Sequence, residues 1–79
     1  MALRTLIETI TKALVQYPDR VEVAEFDSDS STVVELRVAP EDVGKVIGRD
    51  GRTAQHMRSL LTAAAAKLGR RAHLDIVDQ

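Results

Sequence analysis

A chain of 79 residues, 44% hydrophobic and without cysteine, bounds a single domain near the lower size limit for independent folding, with no disulfide framework and no thiolate metal site to supplement its core. Its two histidines, His56 and His73, stand seventeen residues apart on different expected elements, which is poor spacing for a metal pair, and no apolar run reaches transmembrane length. The formal charge is −1 and the N-terminus lacks the basic, apolar and small-residue series of a signal peptide, so a cytoplasmic protein without membrane association, metal or cofactor is expected.

Leu3, Leu6, Ile7, Ile10, Leu14 and Tyr17 recur at helical spacing, which predicts an amphipathic helix over 3–16 that Pro18 stops. Val21 to Phe26 is rich in β-formers, but the order Val-Glu-Val-Ala-Glu-Phe breaks strict alternation after Val23 and suggests a bulge or strand end near Ala24. Tyr17 and Phe26, the only aromatics, both read as core. Asp27-Ser-Asp-Ser-Ser carries turn chemistry, its short polar side chains bonding to nearby backbone. Thr32 to Val38 resumes a strand, with Val34, Leu36 and Val38 on one face and Glu35 and Arg37 on the other, so the two strands form an antiparallel hairpin.

Pro40 suits the first position of a helix, and Glu41 and Asp42 suit its positive end. That helix is short, ending near Val46, with Val43, Val46 and Ile47 turned inward. Asp50 is placed to cap the next helix by accepting from backbone N–H groups two or three residues on. Ala54, Met57, Leu60, Leu61, Ala64 and Leu68 make the apolar stripe of this helix, and Gly69 its stop. Ala72, Leu74 and Ile76 alternate in a final strand. More than thirty residues and two helices separate the second and third strands, enough for a right-handed crossover between parallel strands. The expected fold is α+β with the order α-β-β-α-α-β: a three-stranded mixed sheet with three helices packed on one face.

The charge is unevenly spread. Residues 19–43 hold eight acids against Arg20 and Arg37, a balance of −6. Residues 44–73 hold Lys45, Arg49, Arg52, Arg58, Lys67, Arg70 and Arg71 against Asp50 alone, a balance of +6. At the start of this positive half lies Gly44-Lys-Val-Ile-Gly-Arg-Asp-Gly-Arg52. Gly48 and Gly51 let a backbone approach another chain closely, and the helix N-terminus downstream offers unpaired N–H groups to an anion. With Lys45, Arg49 and Arg52 as cations, the segment suits a phosphodiester backbone. It is not a Walker A loop, which needs Gly-x-x-x-x-Gly-Lys, and Val46 breaks the dinucleotide fingerprint. Asp27 and Asp29 lack the glycine and distal glutamate of a calcium loop. The only nucleophile candidates are Ser and Thr, with no histidine at a motif spacing, so no enzymatic activity is expected.

Gly48-Arg49-Asp50-Gly51, preceded by Val-Ile and followed by Arg-Thr between a short and a long helix, resembles the GXXG loop of the KH (K homology) domain. The whole chain, 1–79, resembles a free-standing type II KH domain of the small bacterial KhpA-type RNA-binding kind. That resemblance implies a groove for about four nucleotides of single-stranded RNA, with the backbone clamped at the loop and the bases on an aliphatic floor. A chain poor in aromatics suits this mode better than the stacking platforms of RRM or OB modules. Carried over by resemblance, Gly48 and Gly51 permit close approach of the backbone, Arg49 meets a phosphate, and Arg52 and Lys45 add field at the flanks. Ile47 and Val46 belong either to the groove or to the core. Asp50 repels a phosphate unless capping satisfies its charge, and Arg58 either reaches the groove or is solvated.

The implied function is that of a non-catalytic single-stranded RNA-binding protein. An RNA chaperone or post-transcriptional regulator is the role the resemblance implies, with a link to cell-envelope growth and division. A single KH groove grips few nucleotides, so a homodimer or a heterodimer with another KH-containing protein is expected. Ala63 to Ala66, a run of small side chains, offers a surface for that pairing. Two other readings stay open on the residues alone. One is a KH-fold protein-interaction module with weak RNA affinity. The other is a helix-turn-helix DNA reader using Arg52, Thr53, Gln55 and His56, for which the first helix is short.

Overall fold

The computed structural model describes residues 2–79. Helix α1 spans Leu3–Leu14, strands β1 and β2 span Glu22–Ser28 and Ser31–Val38, helices α2 and α3 span Val43–Ile47 and Arg52–Lys67, and strand β3 spans Arg71–Asp78. Single 3-10 turns stand at Pro18–Arg20, Pro40–Asp42 and Arg49–Gly51. The sheet order is β1-β2-β3, with β1 and β2 antiparallel and β2 and β3 parallel. All three helices cover one face. Leu3 and Ile7 of α1, Val46 of α2, and Met57, Leu61 and Ala65 of α3 meet Val34, Leu36, Val38 and Leu74 in one core. Burying each of the larger aliphatic side chains contributes about 1.5–3 kcal/mol.

No bulge forms at Ala24, because β1 and β2 pair without interruption from Glu22 opposite Arg37 to Ser28 opposite Ser31. The broken alternation has another cause. Glu25 lies opposite the buried Val34, on the helix side of the sheet, and its Oε1 accepts from the Arg4 backbone N–H at 3.0 Å. Ala2 at the N-cap of α1 makes no side-chain cap bond, so a carboxylate from the neighbouring strand satisfies an orphan donor of the helix. This registration turns Phe26 to the opposite face of the sheet, where it is 58% exposed and not in the core. The hairpin turn is also tighter than the Asp/Ser run suggests. Only Asp29 and Ser30 lie between the strands, Asp29 at φ 43°, a conformation that aspartate tolerates.

Helix α1 stops at Leu14, two residues short of the expected 16, and Leu14 is exposed. Thr11 takes the inward position instead, fully buried with its hydroxyl unpartnered among the described residues. On α3 the buried line is Ala54, Met57, Leu61 and Ala65, a stripe narrower than expected. Leu60 and Leu68 are 52% and 57% exposed, because small residues at 54 and 65 let the helix settle on the sheet along one edge of its apolar face. Gly69 ends the helix as expected, in a Schellman arrangement: the Arg70 N–H donates to the Ala65 carbonyl and the Gly69 N–H to that of Ala66, each at 3.0 Å.

Asp42 ties the first helix to the second. It is fully buried, and its two carboxylate oxygens accept from the backbone N–H groups of Gln16 and Tyr17, each at 3.0 Å. Burial alone would raise this carboxyl, but the two N–H groups and Lys45, with Nζ 3.6 Å from Oδ1, outweigh it and hold the pKa below its ordinary value. A folded value below the unfolded one means stability that is complete above the unfolded carboxylate value of about 3.9 and is lost as pH falls through the folded value. Asp42→Asn keeps the shape without the charge. Thermal melts followed by circular dichroism should show Tm at pH 7 lower by about 4–8 °C or more, and a flatter acid limb than the wild type. An unchanged acid limb would mean that another carboxylate controls it.

Candidate nucleic-acid interface

The loop is built by the way α2 ends. Val46 is fully buried and belongs to the core, whereas Ile47 is half-buried at the edge of the loop. The Gly48 N–H donates to the Gly44 carbonyl at 2.9 Å, and the chain then leaves the helix with Gly48 at φ 77°, ψ 174°. A Cβ at Gly48 would collide with the Thr53 side chain and stand 2.9 Å from its backbone nitrogen. The Gly51 N–H closes the turn onto the Gly48 carbonyl at 3.1 Å, and Gly51 at φ 73° becomes the N-cap of α3. A Cβ there would meet nothing within 4 Å. The two glycines therefore do different things: the first lets the loop lie against α3, and the second leaves open space at the helix N-terminus.

Asp50 is not the helix cap expected of it. It sits at φ 56°, ψ 25°, and the N-cap of α3 is Gly51, with no side-chain cap bond. Capping requires an extended backbone at the cap position, from which the side chain folds back over the first turn. The left-handed conformation of Asp50 is not that geometry, and its carboxylate is exposed. Arg49 and Arg52 are exposed on either side, and neither has an ion-pair partner among the described residues. Lys45 is partly committed to Asp42. Arg70, counted with the positive half of the sequence, is an internal fastener: it donates to Thr32 Oγ1 at 2.8 Å and to the carbonyls of Asp29 and Ser31, and it lies 3.7 Å from Asp27.

From the loop, α3 runs beside the outer edge of β3. Between them lies a cleft of about 390 Å³ lined by Arg58, Leu61, Thr62, Ala72, His73, Leu74 and Asp75. Its floor is aliphatic, from Leu61, Ala72 and Leu74, and its rim is polar. Gly51, Gln55, Arg58 and Thr62 succeed one another along one helix face, which joins the loop to the cleft. Among the described residues strand β3 pairs only with β2, so its other edge keeps backbone donors and acceptors unpaired within the sheet. The structure thus places Arg58, undecided on sequence, in the cleft. Thr62, His73 and Asp75 carry no binding motif in the sequence: their only signal is the helical spacing of 58 and 62 beside a strand at 72–75, and it acquires meaning only once β3 is an edge strand lying along α3.

A family model described as "KhpA/KhpB, KH domain" matches residues 4–76. The chain is 53% identical over 76 residues to the RNA-binding protein KhpA of Halalkalibacterium halodurans, covering 96% of this chain and all of that one. It is 47% identical over 75 residues to RNA-binding protein KhpA of Clostridium acetobutylicum, covering 95% of this chain and all of that one. With RNA-binding protein KhpA of Aquifex aeolicus it shares 43% over 77 residues, 98% of each chain. Among solved structures, a variant of Aquifex aeolicus Era bound to GDP and aluminium fluoride aligns with TM-score 0.63 at 14% identity, over 96% of this chain and 29% of that one. That likeness shows a shared fold, with this chain spanning less than a third of Era.

Proposed function

The chain belongs to the KhpA/KhpB KH-domain family, and from that premise we propose that it binds single-stranded RNA, without catalysis, at the loop Gly48–Gly51 and the cleft beside it. The observation that carries the reading is the loop itself, which opens at Gly51 onto an aliphatic-floored cleft and is flanked by Arg49, Arg52 and Arg58 without ion-pair partners among the described residues. In this reading Gly48 and Gly51 let the sugar-phosphate backbone approach, and Arg49 and Arg52 meet phosphates. Lys45 contributes less than its position suggests, because Asp42 holds it. Ile47 and the cleft floor take the bases, and the unpaired edge of β3 reads their polar groups. Asp50 lowers the affinity. The relatives carry the name of a binding protein and not of an enzyme. A helix-turn-helix reading is weaker, since α2 has five residues and is too short to lie across a duplex backbone.

A role as RNA chaperone or post-transcriptional regulator follows if the grip is weak and tolerant of sequence. Pairing with a second copy or another KH-containing protein would supply the second groove that useful affinity needs. The run Ala63–Ala66 supports this less than its composition suggests, since Ala65 is core and Ala64 half-buried. The exposed Leu60 on α3 and Leu68 at its C-cap, at four-residue spacing with Ala64, support it better. The test of RNA binding is ultraviolet crosslinking to the purified chain, with the crosslinked peptide identified. Crosslinks should fall in 45–62 or 72–75, and log affinity should fall with log salt at a slope of about −1.5 to −3. Crosslinks confined to other segments, or tighter binding to duplex DNA, would sink the reading.

A further inference from the structure

We propose that single-stranded RNA leaving the cleft continues over the edge of β3 onto the face of the sheet opposite the helices, where a base stacks on Phe26 and the backbone meets Arg71. The inference rests on the RNA-binding reading above and extends the site to a surface outside the loop and cleft.

The registers define that surface. Phe26 lies opposite Val33, and Val33 opposite His73, so these three side chains form one row across the uncovered face. Ser28, Ser31 and Arg71 form the next row toward the hairpin turn. His73 joins the two regions, for it lines the cleft and also ends the Phe26 row. Two strand spacings, about 10 Å, separate it from Phe26. An aromatic ring left more than half exposed at one end of a row, with an exposed histidine at the other end across Val33, is a stacking surface of the kind single-stranded nucleic acid uses.

Charge selects this end of the sheet. The rows on the far side of Phe26 carry Glu35 opposite Asp75, then Glu22 opposite Arg37, which pairs with Glu35 at 3.0 Å, so three carboxylates face one cation there. The Phe26 and Arg71 rows carry no carboxylate. Asp27 projects to the helix face and accepts from Thr32 Oγ1 at 2.7 Å, and Asp29 stands in the turn, its carbonyl accepting from Arg70. A polyanion crossing the edge of β3 is therefore drawn toward Phe26 and Arg71 and repelled from the other end of the face.

Two RNA lengths separate this proposal from the one it rests on. A tetranucleotide fills the cleft alone, whereas an octanucleotide also reaches the sheet. Phe26→Ala should leave tetranucleotide affinity unchanged and weaken the octanucleotide about fivefold or more. Phe26→Tyr, which keeps the ring, should restore the octanucleotide to within about twofold. Equal octanucleotide affinity in Phe26→Ala and wild type overturns the proposal, as does a wild type that binds both lengths equally. A change in molar mass of the Phe26→Ala variant by light scattering would assign the surface to a second copy of the chain, and overturns it too. Failure of the wild type to bind either length would instead remove the RNA-binding reading and this one with it.

Discussion

Gly48→Ala should lower Tm by about 12–24 °C, the largest effect expected of any single substitution in the loop. At φ 77°, ψ 174° the residue occupies a region that is essentially reserved for glycine, where any side chain costs about 1–3 kcal/mol. The new methyl would also press on Thr53, whose backbone nitrogen stands 2.9 Å away and cannot move without shifting the first turn of α3. Together these cost about 3 kcal/mol, against a total stability of about 4–12 kcal/mol for a domain of this size. Gly51→Ala is the control. Its φ of 73° is left-handed, but a Cβ there meets nothing within 4 Å, so it should cost only about 1–2 kcal/mol. Melts of the two variants followed by circular dichroism decide the matter. A Gly48→Ala variant as stable as Gly51→Ala would contradict the described packing of the loop on α3. The asymmetry also bears on binding, because RNA affinity lost on substituting Gly48 reports unfolding as much as contact.

Element order and sheet pairing were legible because each depends on strong local signals. Pro18 and Gly69 bound helices, β2 alternates cleanly, and the two-helix crossover leaves β3 parallel to β2. The errors fall where a residue answers to a distant partner. Glu25 looked like a defect in a strand pattern, but it caps α1 across 21 residues of sequence. Asp42 looked like an ordinary acidic first-turn residue, but it is buried and holds the end of α1. Phe26 reads as core by residue type, and the β1–β2 register turns it outward. Within the candidate site, the position of the loop was legible from its glycines and cations, and its backbone was not. Asp50 satisfied every compositional rule for a cap, yet the turn that closes Gly51 onto Gly48 places it in a left-handed conformation that cannot cap. The cleft was invisible because neither α3 nor β3 encodes that they lie side by side.

Arg49→Asp tests the loop without touching its geometry. Both glycines stay, the residue is exposed, and no ion pair is lost among the described residues, so stability should change by about 0.5 kcal/mol or less. The local charge changes sign, because Asp50 beside it is uncapped and Arg52 is left as the one cation of Arg49, Asp50 and Arg52. If the loop clamps a phosphate as proposed, tetranucleotide affinity should fall tenfold or more, which is about 1.4 kcal/mol. The gap between variant and wild type should narrow as salt rises, since the contact is exposed. Asp50→Asn supplies the opposite sign at the neighbouring position: asparagine tolerates the same left-handed backbone, no cap is forfeited, and affinity should rise. Fluorescence polarisation of a labelled tetranucleotide at fixed ionic strength measures both, with Tm as the check on folding. Opposite responses at positions 49 and 50 would mark a phosphate between them. A folded Arg49→Asp variant with wild-type affinity would exclude the loop and leave Arg58 and the cleft to hold the RNA alone.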